Sequence, residues 1–598
     1  MSNERDRRMT EDLLRASLSR RGLLKRAGAL GLGIGAVSTL LAACGGGDED
    51  ATATTAGGAA TAPPSGQATS PAGETPAAGE TPAAAESPTT GGTSGGAAGE
   101  GTPGGSITVA LNSGLTTMDP HKSTAAVDRQ VYQLIYDKLV DIDETLNIVP
   151  ELATEWEISA DGAEYTFTLV DGVTFHDGEP FNAEAVKFNI QRHIDKADSA
   201  FYTTYEPVDS VEVVDDYTVK IVLRELKVFF AYNGLALWGS MQVSPKAYSA
   251  GTYDDHPIGT GAFKFDSYEP GSSIKYVRND DYWNGAPLLD GIEVRVIPET
   301  NVQLVEMQAG TIEVIGLDPK DVSTAEDAGA TIENTIAPGA QFISINVSRE
   351  PTSDLAVRQA VAHAIDRDTI IDQVLFGYAE KSRAGVNSNS PFYSEDVPMI
   401  EYDPEKAEQI LEEAGWTKGS GGIREKDGKP LMLSILSSDF AGWGLYNQII
   451  QEQLKKIGID SEISTLEWNA YLDQWRENQG DWNITYHSQG SIVASVSAIQ
   501  ASWAPESYWS ITQIDDATTP DLQQLATDLQ ALSDDFDKEL DPEKRKDIAK
   551  QAQTLFQENQ LTVWLWHGAS LMAIQPKLTG YTLSHSGRII ELDKASFT

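Results

Sequence analysis

Four short runs decide the fold: Asn147-Ile-Val-Pro-Glu-Leu-Ala-Thr-Glu-Trp156, Ser159-Ala-Asp-Gly162, Tyr165-Thr-Phe-Thr-Leu169 and Gly172-Val-Thr-Phe-His-Asp-Gly178. In Tyr165–Leu169 apolar and polar side chains alternate with period two, which predicts a strand with one wet face. Asp-Gly pairs at 161–162, 171–172 and 177–178 mark tight turns around it. Working outward, Tyr217-Thr-Val-Lys-Ile-Val-Leu223 repeats the alternation and Ser106-Ile-Thr-Val-Ala-Leu111 opens a further strand. Helical spacing takes over at Ala183–Ile194 and at Asp354–Phe376, where Leu355, Val361, Ile365 and Ile370-Ile371 make the apolar stripe and Ser353 or Asp354 the N-cap. Pro404–Ala414 and Leu445–Ile457 read as helices stopped by Gly415 and Gly458. A helix over Pro542–Asn559 precedes an apolar run, Leu561–Leu565. The class is mixed α/β.

At 598 residues the chain exceeds what one core can serve. It carries 44 Lys+Arg against 89 Asp+Glu, a net charge of −45. That sign excludes nucleic acid as a partner, because phosphate neutralisation needs clustered Lys and Arg. The single cysteine, Cys44, excludes a disulfide framework and any site built on two thiolates.

The first 105 residues read as address and tether. Met1–Arg26 holds eight Lys/Arg and four Asp/Glu, and Ala27–Ala43 is a short apolar stretch rich in Gly and Ala. That order is the layout of an export signal, and 17 residues with four glycines make a poor membrane span. Ser19-Arg20-Arg21-Gly22-Leu23-Leu24-Lys25 resembles a twin-arginine signal, with Leu23 where Phe is usual. Leu41-Ala42-Ala43-Cys44-Gly45 resembles a bacterial lipobox, which implies removal of residues 1–43 and lipidation of Cys44, an anchor strong enough for stable membrane attachment. Residues 44–105 contain Gly, Ala, Thr, Pro, Ser and acidic residues but no aromatic, Leu, Ile, Val or Met, so they cannot bury a core. As a flexible tether they reach roughly 40–50 Å.

A search for catalytic patterns finds no HExxH, GxSxG, P-loop or EF-hand loop. The eight histidines stand singly, and no pair has metal-ligand spacing. Aromatic side chains, by contrast, crowd together: Trp443, Tyr446, Trp468, Tyr471, Trp475, Trp482, Tyr486, Trp503, Tyr508 and Trp509. Two readings are open for them, core packing and the flat walls of an amphipathic ligand cleft.

The four opening runs, followed in order by Pro257-Ile-Gly-Thr-Gly-Ala-Phe263, Asp281-Tyr-Trp283, Val357-Arg-Gln-Ala360 through Ala364-Ile-Asp-Arg367, and Tyr402-Asp-Pro-Glu-Lys-Ala407 through Glu413-Ala-Gly-Trp416, resemble the family 5 extracellular solute-binding proteins. These are the peptide- and nickel-binding components of ABC importers. The resemblance spans about Ser106 to Gly580. It implies a two-lobe periplasmic-binding-protein-like (type II) fold. Lobe I would comprise 106–340 and 566–598, with an extra subdomain over about 140–255, and lobe II would comprise 341–565. It further implies a monomer on the outer side of the cell membrane or in the periplasm that closes on a small solute, peptide or other amphipathic molecule. The solute then passes to permease subunits driven by a cytoplasmic ATPase. No cofactor, metal or catalysis is expected. Rival readings are a receptor or chaperone on the same scaffold, and an exported lipid-anchored enzyme. The ligand-binding candidates are Trp238, Asn346, Trp443, Tyr446, Trp468, Tyr486, His487, Ser488, Gln489, Gly490 and Ser491. In the peptide-binding members a Gly-Asp pair holds the peptide ammonium. Here Ser491 aligns with that aspartate, so free-amine peptides are expected to bind weakly and blocked peptides or sugar-like solutes to be favoured.

Overall fold

Two long antiparallel strands, Thr331–Ile345 and Thr562–Ile574, form the spine of the molecule. The computed structural model describes residues 101–143, 147–195, 199–251, 253–440, 442–476, 481–488, 512–517, 519–583 and 590–598. All lie in one compact unit, Thr90–Thr598. The spine strands sit in the middle of an 11-stranded sheet. Beyond Thr331–Ile345 come Ile484–Ser488, Met432–Ser438 and Asp460–Leu466. Beyond Thr562–Ile574 come Val314–Leu317, Ser106–Leu111, Gly291–Val296, Ser273–Arg278 and Phe263–Glu269. The short strand Ala379–Lys381 also pairs with Thr562–Ile574.

The spine pairing runs from Thr331 opposite Ile574 to Ser344 opposite Thr562, with register shifts between Ile336 and Ala340 and between Gln341 and Phe342. Such irregularities bend and twist a strand pair. Here they coincide with a change of core. On one side, Ile107, Val109, Phe263, Ile292, Met572 and Ile574 join a single buried cluster. A smaller cluster on the opposite face of the sheet takes Ile315, Leu571 and Ala573. On the other side, Phe342, Ile343, Leu433, Ile484, Val563 and Trp566 belong to a separate core. The architecture is two α/β lobes sharing two strands.

Within the first lobe, Ala153–Ile158, Glu164–Leu169, Thr218–Leu223 and Val208–Asp215 form a four-stranded antiparallel sheet in that spatial order. The alternation read in Tyr165–Leu169 appears as buried Tyr165, Phe167 and Leu169. The sequence motifs of this lobe meet at Asp137. Tyr282 Oη, Trp283 Nε1 and Thr260 Oγ1 donate to its carboxylate at 3.1, 2.9 and 2.8 Å. Beside them Gly259 and Gly261 press on the backbone of Ile135, where an added Cβ would come within 2.2 and 2.5 Å of main-chain atoms. Only glycine fits there.

Ala183–Ile194 is helical with the expected bounds, capped by Asn182. One expected helix is two. Asp354–Phe376 divides into Leu355–Ala364 and Arg367–Gln373, because Asp366 turns its side chain onto Thr369 N at 3.0 Å and starts a new helix. Asp354, one of the two candidate caps, accepts from Ala356 N. The run Leu561–Leu565 is the beginning of the 13-residue spine strand. A helical pair, Pro520–Phe536 and Pro542–Glu558, flanks the second lobe, and segment 226–229 of the first lobe docks on it. Val228 and Phe229 are buried in the second lobe's core. Phe229 lies 5.0 Å from Phe536 with Arg545 over its ring at 5.7 Å, and Lys227 Nζ pairs with Asp537 at 3.2 Å.

Candidate functional site in the crevice where strand ends converge

Strand direction locates the site. Val314–Leu317 runs antiparallel to Thr562–Ile574, with Val314 opposite Ile574 and Leu317 opposite Leu571. Its carboxyl end therefore points towards the irregularity in the spine. Ser106–Leu111 is parallel to it. From the other lobe, Ile484–Ser488 runs antiparallel to Thr331–Ile345, with Ser488 opposite Gln341, and Met432–Ser438 is parallel to Ile484–Ser488. Carboxyl ends of both lobes thus converge on the crossing. In open α/β sheets the crevice outside the carboxyl ends of the strands is where ligands bind.

The rim contributed by the second lobe is aromatic. Tyr446 stacks on Tyr486 with centroids 4.7 Å apart, and both lie against Trp566, at 5.3 and 6.1 Å. Trp443 stands edge-on to Trp468 at 5.6 Å and to Tyr486 at 5.5 Å. Gln341 Nε2 donates to Ser488 Oγ at 3.1 Å, while its Oε1 is buried with no partner among the described residues. Across the crevice, the charge of Asp318, the first residue after Val314–Leu317, reaches Tyr446. Burial first and Asp318 second push the Tyr446 hydroxyl above its ordinary pKa. A neutral phenol at this rim is a hydrogen-bond donor as well as a flat apolar wall.

The structure thus brings Tyr446, Tyr486 and Ser488 together beside Trp443 and Trp468. Trp443 and Tyr486 are buried, whereas Phe440, between Trp443 and Trp468, is 52% exposed. His487 also meets Trp443, edge-on at 5.0 Å, and is otherwise committed to internal partners. Its ring lies 4.2 Å from Trp475, and its Nδ1 shares a 2.9 Å hydrogen bond with Tyr471 Oη. Burial drives its pKa down to about 3, with Arg476 adding to the effect, so the imidazole is neutral. Asn346 is not brought to the rim. It follows the far end of the spine strand, fully buried, and its Oδ1 accepts from Ser348 Oγ at 2.7 Å. Trp238 belongs to the first lobe, with the Arg129 guanidinium 4.1 Å over its ring. Gln489, Gly490 and Ser491, and with them the aligned aspartate position, lie outside the described residues, as do Trp503, Tyr508 and Trp509.

Gln341, Asp318 and Trp566 enter only through the structure. Trp566 stands one residue beyond the apolar run read as Leu561–Leu565, and no local pattern distinguishes Gln341 or Asp318. Among the described residues no cluster of three or more His, Cys, Asp or Glu is placed to hold a metal ion, and no helix is long and apolar enough to cross a membrane.

Residues 147–509 match the family model described as bacterial extracellular solute-binding proteins, family 5 Middle. The chain is 30% identical over 527 residues to the oligopeptide-binding protein AppA of Bacillus subtilis (strain 168), covering 83% of this chain and 92% of that one. It is 27% identical over 500 residues to the dipeptide-binding protein of Escherichia coli (strain K12), covering 76% and 87%. The crystal structure of NikA from Brucella suis in complex with Fe(III)-EDTA superposes with a TM-score of 0.74 at 26% identity, over 82% of this chain and all of that one.

Proposed function

The chain belongs to the family 5 bacterial extracellular solute-binding proteins, and we propose that it is the lipid-anchored, extracytoplasmic capture component of an ABC importer for peptide-like or other small amphipathic solutes. The observation that carries this reading is the convergence of strand ends from two lobes on an aromatic rim at the spine crossing. A crevice built so can close on a solute by bending two strands, which shifts an open–closed equilibrium without breaking a bond. We assign residues 106–340 and 566–598 to lobe I, with the four-stranded sheet in its subdomain, and 341–565 to lobe II. Relatives named for oligopeptides and dipeptides support a peptide-like solute. The serine aligned with the family's ammonium-binding aspartate favours a solute without a free amine, since a desolvated ammonium with no counter-charge is costly.

Calorimetry on full-length chain, unfolded and refolded to strip bound solute, tests the assignment. An N-acetylated di- to pentapeptide library should bind at least tenfold tighter than the same library with free amines. The reverse order would show that another carboxylate serves the ammonium. Export and anchoring rest on the twin-arginine-like run and on Leu41-Ala42-Ala43-Cys44. Cys44→Ser should move the protein from the membrane fraction to the soluble one, and a variant that still sediments after a carbonate wash would refute lipidation at Cys44.

A further inference from the structure

Lobe I buries a cation that forms no ion pair among the described residues. Arg129, in the first turn of the helix Ala126–Ile135, is 4% exposed. Among the described residues its one hydrogen bond is long, from Nε to the Ala125 carbonyl at 3.5 Å. Its neighbour Asp128 is fully buried and lends charge through space, but both carboxylate oxygens are committed to Thr116. Oδ1 accepts from the Thr116 amide at 2.9 Å and Oδ2 from the Thr116 hydroxyl. Burial draws the guanidinium pKa down to about 9, which leaves it charged at neutral pH. Below it lies Trp238, 9% exposed and edge-on to Phe201 at 6.0 Å, and the Trp238 indole Nε1–H is buried without an acceptor among the described residues. Among the described residues, a guanidinium with no ion pair and an indole N–H with no acceptor therefore share one place, with 4.1 Å between the guanidinium carbon and the indole centroid.

The stacking of guanidinium on indole offsets only part of the cost of this arrangement. A buried charge without a bonded partner is destabilising, and so is a buried N–H without an acceptor. What both lack is an anionic acceptor, and a planar carboxylate matches the guanidinium fork. The helix carrying Arg129 follows the carboxyl end of Ser106–Leu111, one of the strands aimed at the crossing. We propose that Arg129 and Trp238 form a carboxylate-binding subsite of the solute crevice, so that the captured molecule is a peptide-like solute bearing a free carboxylate. The inference rests on the solute-binding reading above and narrows it: the solute is gripped by its acid end.

The test uses refolded full-length chain and an N-acetylated di- to pentapeptide library made without Asp or Glu, prepared once as free acids and once as C-terminal amides. Free acids should bind at least tenfold tighter than amides. Arg129→Gln should remove that difference, and inorganic phosphate should not raise the melting temperature. Arg129→Met keeps the volume over Trp238 and drops the charge, so it should raise the melting temperature of the solute-free chain. Binding that amidation does not weaken would overturn this inference and leave solute binding intact, whereas failure of both libraries to bind would sink the peptide reading beneath it as well. Phosphate protection equal to that of the free acids would overturn the choice of carboxylate. A fall in melting temperature on Arg129→Met would show that the guanidinium is there to hold the lobe together.

Discussion

His487 shows how burial converts a candidate ligand into a pH-sensitive core residue. Its folded-state pKa of about 3 lies far below the ordinary value of 6.5. As pH falls through 6.5 the unfolded chain takes up a proton that the native state refuses, so stability is lost progressively on acidification down to about pH 3. By pH 5 the loss from this one group is about 2 kcal/mol. Other buried groups titrate nearby, among them Glu591, which burial raises to about 7 and which acts in the opposite sense. A difference measurement isolates the histidine. Urea unfolding at pH 7 and pH 5 should show wild type losing about 2 kcal/mol more than His487→Gln, and equal losses would mean that the imidazole is not held neutral. The sequence presents His487 and Tyr486 as adjacent residues of equal promise. Successive strand residues point to opposite faces, and since both faces are covered here the difference lies in which neighbours cover each. Tyr486 stacks on Tyr446, while His487 hydrogen-bonds to Tyr471.

At the scale of elements, local signals were readable and long-range ones were not. Alternation gave Tyr165–Leu169, and helical spacing gave Ala183–Ile194 with the observed bounds. The break at Ile365–Asp366 escaped because an apolar stripe continues across it and one aspartate side chain, bonding to Thr369 N, ends one helix and starts the next. The spine strands escaped because their pairing joins residues more than 200 positions apart, which no local pattern encodes. The docking of 226–229 on the helical pair is of the same kind. Phe229, 3% exposed between Phe536 and Arg545, carries it by apolar contact. Phe229→Ala should therefore cost about 3–5 kcal/mol in denaturant unfolding. Removing the half-exposed Lys227 partner of Asp537 should cost less than about 1 kcal/mol. The opposite ranking would mean that the segment is held by charge rather than by packing.

For the whole molecule, the central claim is that a solute is captured between two lobes that move about the spine crossing. Ordered motifs in the sequence made the two-lobe class legible, because each fixes a turn or cap that the fold reuses, as Asp281-Tyr-Trp283 does by converging on Asp137. The identity of the solute was not legible, because side chains from distant segments come together only in the fold, as Arg129 does with Trp238 and Tyr446 with Trp566. The sole natural cysteine is Cys44, so a Cys44→Ser chain accepts two spin labels free of competing thiols. Val305, 63% exposed on a lobe I helix, and Leu445, 50% exposed on a lobe II helix, are suited to carry them as Val305→Cys and Leu445→Cys. The most direct measurement is the distance between these labels by pulsed electron resonance, before and after the refolded chain is saturated with N-acetylated free-acid peptides. The account predicts a label-to-label distribution that shifts on binding to a single distance absent or minor beforehand; a distribution unchanged at saturation, with binding confirmed by calorimetry on the same sample, would contradict it.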